Sequence, residues 1–263
     1  MTAMKPTEKG FFDREICQPV HLRGDDNGIL LLHGFTGSAA HMRKLADALH
    51  QRGHTVRTIN LPGHASTEED MARSNWQMWL QAAKQAALDM LQEVRTLTVG
   101  GLSMGGVLAL IVAQQMKVHG CVTYSAPMAT QNRLLPLSGL LYPFYPRVSW
   151  RAPDERHASL DRTYDYGYTG FPTAKGADLH RLIRLARDNL FNISCPILCV
   201  QSDQDETIWL GSADQILEGV SSDVRRKLQL KGVPHVVTLS RELDAIVEAT
   251  DGLMRAAREE QER

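Results

Sequence analysis

The sequence predicts an α/β domain, a mostly parallel central sheet with helices on both faces and one inserted segment. Three observations carry this reading. Short apolar runs alternate with stretches of helical periodicity, the alternation fails once between residues 127 and 192, and 263 residues provide interior enough for one large domain of this kind.

The elements follow in chain order. The run "ILLLH" (29–33) has the unbroken apolar character of a strand buried on both faces. Next, "AAHMRKLADALHQRG" puts Met42, Leu45 and Leu49 on one helical face and stops at Gly53. A strand is expected at "TVRTIN" (55–60), and a helix at "NWQMWLQAAKQAALDMLQEV", whose apolar positions recur every three to four residues. The strand "TLTVG" (96–100) then leads through a glycine-rich turn into the helix "GVLALIVAQQMK". The remaining strands are "GCVTYSA" (120–126), "PILCVQS" (196–202) and "KLQLK" (227–231), and the tail "MRAAREEQER" reads as a solvated helix end.

From Pro127 to Asn192 the pattern changes. Tyr142, Phe144, Tyr145, Trp150, Tyr164, Tyr166, Tyr168 and Phe171 gather there with Pro127, Pro136, Pro143, Pro146, Pro153 and Pro172. An insertion over the carboxyl edge of the sheet fits, because open α/β sheets bind ligands in the crevice outside that edge. The expected division is therefore a core of residues 1–126 and 193–263 and a cap of residues 127–192.

Composition excludes several function classes. With 29 basic against 30 acidic residues and no block of Lys and Arg, nucleic acid is not an expected partner. The segment "MTAMKPTEKGFFDREICQPVHL" lacks the apolar core of a secretory signal, and nothing later approaches a spanning helix. The expectation is a cytoplasmic protein without stable membrane insertion. Four cysteines without C-x-x-C spacing are expected to be structural thiols, so no metal site is anticipated.

The turn Gly101-Leu102-Ser103-Met104-Gly105 matches G-x-S-x-G between a strand and a helix, the setting in which a serine hydroxyl projects above a sheet. A phosphate loop would require G-x-x-x-x-G-K-[ST], which this turn lacks. A serine nucleophile needs a base, and the base needs a group to hold its tautomer. Both types of residue follow in chain order: Asp203 and Asp205 in "DQDETI" after one strand, then His235 in "KGVPHVVTL" after the last. Among ten histidines, His235 is the candidate base because its Gly/Pro-containing loop follows the final strand; His64, in "NLPGHA", is placed to line the site. Stabilising an oxyanion takes two preorganised N–H groups. Met104 supplies one by following the serine, and Phe35, in the open loop "HGFTG", is the candidate for the other.

Together "LLLHGFTGSAAHMRKLADALHQRGHTVRTINLPGH", "GLSMGG", "VQSDQDETI" and "GVPHVVTL" resemble the small bacterial carboxylesterases and monoacylglycerol lipases of the α/β-hydrolase superfamily, over nearly the whole chain. The spacing Ser202-x-x-Asp205-x-x-Ile208 resembles the signature many such enzymes carry after this strand, favouring Asp205 over Asp203. The resemblance implies Ser103 as nucleophile, His235 as base, Asp205 as its orienting acid, and an oxyanion hole from the N–H groups of Phe35 and Met104. It further implies hydrolysis of a small-molecule ester through an acyl-enzyme, without a cofactor. Thioesterase, amidase, acyltransferase and C–C hydrolase chemistry use the same constellation. A non-enzymatic ligand receptor, or a lipase acting at a lipid surface through "LLPLSGLLYPFYP", are the other readings. Two departures stand out: Gly63-His64-Ala65 where many relatives read G-H-G, and a Tyr/Pro-rich cap.

Overall fold

In the computed structural model, residues 10–129, 138–150 and 159–262 are described; the expectations for 1–9, 130–137, 151–158 and Arg263 lie outside them. The chain runs β1 (His21–Leu22), β2 (Asn27–Leu32), α1 (Ala40–Gln51), β3 (Thr55–Ile59), α2 (Glu68–Arg73), α3 (Trp76–Leu91), β4 (Thr96–Leu102), α4 (Met104–Gln115) and β5 (Gly120–Tyr124). It continues through α5 (Ser138–Leu141), β6 (Arg147–Ser149), β7 (Gly170–Pro172), α6 (Ala174–Arg187), β8 (Ile197–Ser202), α7 (Ser212–Gly219), β9 (Arg225–Leu230) and α8 (Leu243–Gln261).

The main sheet has the order β1-β3-β2-β4-β5-β8-β9. Only β1 pairs antiparallel, so the carboxyl ends of the other six strands share one edge. The chain steps outward from β2 to β3 and returns to the other side of β2 with β4. The gap between the ends of β2 and β4 is therefore the switch point at which open α/β sheets take their ligands.

Two apolar layers sandwich the sheet. On one face Leu30, Leu32, Leu97 and Val99 pack with Trp79 and Ala83 of α3, Val107 and Ile111 of α4, and Leu182 and Ile183 of α6. On the other, Ile29, Leu31 and Val122 meet Met42, Leu45 and Leu49 of α1 and Ile246, Leu253 and Met254 of α8. The helical face expected for α1 is thus the one that is buried, and α1 closes on Gly53 at φ 99°, the left-handed conformation favoured just past a helix end. Asn75 caps α3 by accepting the Met78 N–H at 3.0 Å. Cys17, Cys121, Cys195 and Cys199 are free thiols. Burial pushes the Cys195 and Cys199 thiols up to about 12.

The 127–192 span divides in two. Helix α6 packs beside α3 and α4 in the core layer, whereas β6 and β7 form a separate antiparallel pair. That pair is tied to the core through Arg147, whose guanidinium binds both carboxylate oxygens of Glu68 at 2.7 and 2.8 Å.

At the opposite edge of the sheet, Asp251 of α8 accepts from His54, Arg52 and Arg255, each at 2.8 Å, joining α8 to α1 and to the start of β3. Its side chain is 8 % exposed. Burial raises the Asp251 pKa, but the hydrogen bonds from His54 and Arg52 and the Arg255 charge outweigh it, and the carboxyl stays below its usual 3.8. A depressed carboxylate contributes stability that is present above its unfolded pKa and lost as pH falls through the folded one. Asp251→Asn is expected to cost about 1 to 2 kcal/mol near neutral pH, because the amide carries no charge for the partly exposed Arg52 and the exposed Arg255 and cannot accept all three bonds. In urea unfolding the gap between the two proteins closes as pH drops below the ordinary carboxylate range; equal midpoints at neutral pH would refute this role.

Candidate active site

Four of the parallel strands deliver the sequence-predicted residues to the shared carboxyl edge. Phe35 follows β2, Ser103 and Met104 join β4 to α4, Asp205 follows β8, and His235 follows β9. A single-residue hinge joins β4 to α4, and Ser103 occupies it at φ 53°, ψ −116°. L-residues rarely adopt this region, and the neighbouring hydrogen bonds hold Ser103 there: its N–H donates to Tyr124 O at 2.8 Å and its carbonyl accepts from Val107 N–H at 3.1 Å. The flanking glycines are steric necessities. A Cβ on Gly101 would strike the Gly105 backbone, and one on Gly105 would strike the Leu32 carbonyl.

The β2 loop lies directly against this hinge. A Cβ built on Gly34 would sit 3.4 Å from Ser103 Cβ, which puts the loop that carries Phe35 beside the serine that Met104 follows. The loop is held by His33, a residue given no role by the sequence reading. Leu61 N–H donates to His33 Nε2 at 3.0 Å, which leaves the ring proton on Nδ1, where it is donated to Gly34 O at 2.8 Å. Full burial holds the His33 pKa well below its usual 6.5, so this neutral tautomer persists. The Gly37 N–H also donates to Gly34 O, at 3.1 Å. In a trans peptide the N–H points away from the C=O, so holding Gly34 O constrains the Phe35 N–H from the side of the preceding residue. The only outward sign in the sequence is a histidine immediately before the loop glycine.

Of the two candidate carboxylates, Asp205 meets the imidazole: its oxygens lie 2.8 and 3.0 Å from His235 Nδ1. The Asp205 side chain has no exposure and that of His235 is 12 % exposed. Asp205 also accepts the N–H groups of Thr207 and Ile208 at 2.9 and 3.1 Å. Burial pushes its pKa up, but the His235 charge and these hydrogen bonds outweigh it and hold the carboxyl below 3.8. An ionised carboxylate only accepts, so the proton sits on Nδ1 and Nε2 is the basic nitrogen. Asp203 instead accepts the Gly232 N–H at 2.8 Å and shapes the loop that carries His235. Glu206, also missed by the sequence reading, accepts the His235 backbone N–H at 3.3 Å. For His235 itself, burial lowers the pKa, but the charges of Asp205 and Glu206 and the bond to Asp205 more than offset it, leaving the imidazole above 6.5.

His64 does line this region. It is 3 % exposed, its ring centroid 5.1 Å from that of His33 and 6.2 Å from that of Phe35, and burial lowers its pKa to about 4. Neighbouring Ala65 has φ 52°, a conformation that favours glycine. Among the described non-glycine residues, Thr36, Ala65, Ser103 and Ser125 are those with positive φ; each lies in a loop beyond the carboxyl end of β2, β3, β4 or β5. Backbone strain is concentrated at this edge of the sheet.

The fold and this constellation define a hydrolase. Residues 29–249 match the alpha/beta hydrolase family, and the chain belongs to it. It is 31 % identical to a thermostable monoacylglycerol lipase of Bacillus sp. strain H-257, over 88 % of this chain and 92 % of that one. It is 28 % identical to a carboxylesterase of Bacillus subtilis strain 168, over 87 % and 92 % of the two chains. A solved structure from the metagenome-derived lipolytic enzymes LipS and LipT superimposes with a TM-score of 0.86 at 26 % identity, covering 92 % of this chain and 98 % of that one. The monoacylglycerol lipase of Paleococcus ferrophilus, at 15 % identity and a TM-score of 0.74 over 91 % and 98 % of the chains, has the same fold. The resemblance read from the motifs is borne out.

Proposed function

We propose that this chain is a serine carboxylic ester hydrolase that cleaves short to medium acyl esters through an acyl-enzyme on Ser103. The observation that carries the reading is the buried Asp205–His235 pair on the same sheet edge as the strained Ser103 hinge. His235 Nε2 takes the Ser103 proton as Oγ attacks the ester carbonyl, and the imidazolium is held by Asp205. The developing oxyanion accepts the N–H groups of Phe35 and Met104, fixed before substrate arrives. His235 then protonates the departing alcohol, and a water deprotonated by the same nitrogen releases the acid. Neither step needs a cofactor or a metal.

An apolar wall supports an acyl substrate. The Phe35 ring contacts those of Phe171, Trp79 and Trp150 at centroid distances of 5.0, 5.9 and 6.3 Å. Within the 127–192 cap, the β6–β7 pair supplies this cover. Monoacylglycerols are the second reading, favoured by the 31 % identity to the Bacillus lipase. Among the described residues no helix is long and apolar enough to cross a membrane, which suits a cytoplasmic enzyme acting on dispersed esters. Part of "LLPLSGLLYPFYP", residues 134–137, lies outside the described residues.

The test is kcat/KM for nitrophenyl esters from acetyl to dodecanoyl, with monoacylglycerols alongside. Activity is expected to peak in the short to medium range and to fall at least about 10-fold per added methylene once the pocket is full. A folded protein inert towards every ester would overturn the ester assignment and leave thioester, amide or C–C cleavage.

A further inference from the structure

One of the links from the cap back to the loop that carries Phe35 is an indole. Trp150 follows β6, and its backbone N–H continues the pairing with the β7 side by donating to Thr169 O at 2.9 Å. Its Nε1–H donates to Thr36 Oγ1 at 3.0 Å, across 114 positions of sequence. The same ring stands edge-on to Phe35, at an interplanar angle of 89°, and against Phe171 at 4.9 Å.

Thr36 is one of the strained positions, with φ 65°. A β-branched residue stays in that conformation only when its surroundings over-determine it. Here the surroundings are the cap. Beside the indole bond, Tyr168 N–H donates to Thr36 O at 2.9 Å, and Ser38 Oγ donates to Tyr166 O at 2.8 Å. The Tyr168 hydroxyl in turn accepts the Ser66 N–H at 3.0 Å and donates towards Gly63 O and Thr67 O, each at 3.1 Å, so this strap is itself anchored to the loop after β3. His33 holds the peptide before Phe35 and the cap holds the residue after it. Trp150 supplies the side-chain half of that second grip.

We propose that Trp150 is a positioning residue: its indole N–H on Thr36 and its ring on Phe35 set the orientation of the Phe35 N–H, making the cap a part of the oxyanion hole as well as a cover. The proposal rests on the assignment of the Phe35 N–H as an oxyanion donor. A residue that only walled the substrate pocket would act on ground-state binding. One that aims a donor acts on the transition state.

Trp150→Phe keeps a ring on Phe35 and removes the donor; Thr36→Val keeps the branched shape and removes the acceptor. Each is expected to lower kcat roughly 10-fold with KM held within about 2-fold, short of the about 100- to 1,000-fold loss that follows removal of an oxyanion donor. The affinity of a trifluoromethyl ketone, which forms an oxyanion on the serine, should fall in the same ratio as kcat/KM. The double variant should be no worse than the worse single, because both remove one bond. Thr36→Ser, which retains a hydroxyl acceptor, should recover most of the wild-type kcat. Wild-type kcat in Trp150→Phe, a loss confined to KM, or multiplying losses in the double variant would overturn the proposal. Ser103→Ala in the same panel separates the two readings. If it is inert while Trp150→Phe turns over normally, the serine mechanism stands and only the role of Trp150 falls.

Discussion

Ser103→Ala is expected to lower kcat/KM for ester hydrolysis about 10⁵- to 10⁶-fold, because the proposed mechanism loses its nucleophile with this hydroxyl. Any residual rate should come from substrate positioning and the Phe35 and Met104 N–H groups, which the substitution leaves in place. Thermal stability should change little in this variant, since alanine retains the Cβ at φ 53° that makes the hinge strained. Ser103→Gly is a different case. It should be equally inactive yet more stable than the alanine variant by about 1 kcal/mol, because glycine adopts this region without the steric cost. The pair of variants therefore separates the chemistry of the hydroxyl from the strain that presents it. Wild-type turnover in either variant would end the serine reading, whatever the stability data showed.

That hinge was legible in the sequence because the residues that satisfy it are consecutive, although one of its limits, the Leu32 carbonyl against Gly105, comes from β2. The steric limits at Gly101 and Gly105 and the exposure of one hydroxyl are all met within five consecutive residues. The strands β2, β4, β5 and β8 were legible for a related reason: being covered on both faces, each is buried along its whole length and contains no charged residue. Edges were harder. β9 begins at Arg225, two residues before its apolar pattern, because an edge strand leaves Arg225 and Arg226 in solvent. The two-residue β1 and the three-residue β6 and β7 are too short for periodicity to show.

The site divides along the same line. Ser103, Met104 and Phe35 are candidates from turn chemistry, and a resemblance to the family's signature favours Asp205 over Asp203, whereas the hydrogen bonds to His235 and Gly232 distinguish their places. The hydrogen bonds of His33, Glu206 and Trp150 are not legible because their partners lie in loops that follow other strands. No window of sequence holds both ends of a bond that spans 28, 29 or 114 positions. The role of α6 was hidden differently: it sits inside a span rich in Pro and Tyr, but its Leu182, Ile183 and Ala186 belong to the core layer beside α4.

Asp205→Asn carries the second large effect, expected as a loss of about 10⁴-fold in kcat. The carboxylate does two things that an amide cannot. It accepts the proton on His235 Nδ1 at 2.8 Å, which forces the basic lone pair onto Nε2, and its charge favours the imidazolium that forms during attack. An asparagine can turn its NH₂ towards Nδ1, stabilising the tautomer with the proton on Nε2, where it cannot receive one from Ser103. The pH profile tests the electrostatic half. In the wild type, burial favours neutral imidazole but Asp205 and Glu206 outweigh it, so the His235 pKa lies above 6.5. The base works only when neutral; the acid limb of kcat/KM therefore falls away above pH 6.5 as pH decreases. Without the Asp205 charge, burial is opposed mainly by Glu206, and the limb of the residual activity moves to lower pH. Asp203→Asn is the contrasting variant. Its amide oxygen can still accept the Gly232 N–H, so kcat should stay within about 3-fold of wild type and the acid limb should not move. If Asp203→Asn instead produced the large loss and Asp205→Asn the small one, the choice between the two carboxylates would be reversed. The geometry makes the opposite demand, since only Asp205 is buried against the imidazole while Asp203 is spent on the loop that carries it.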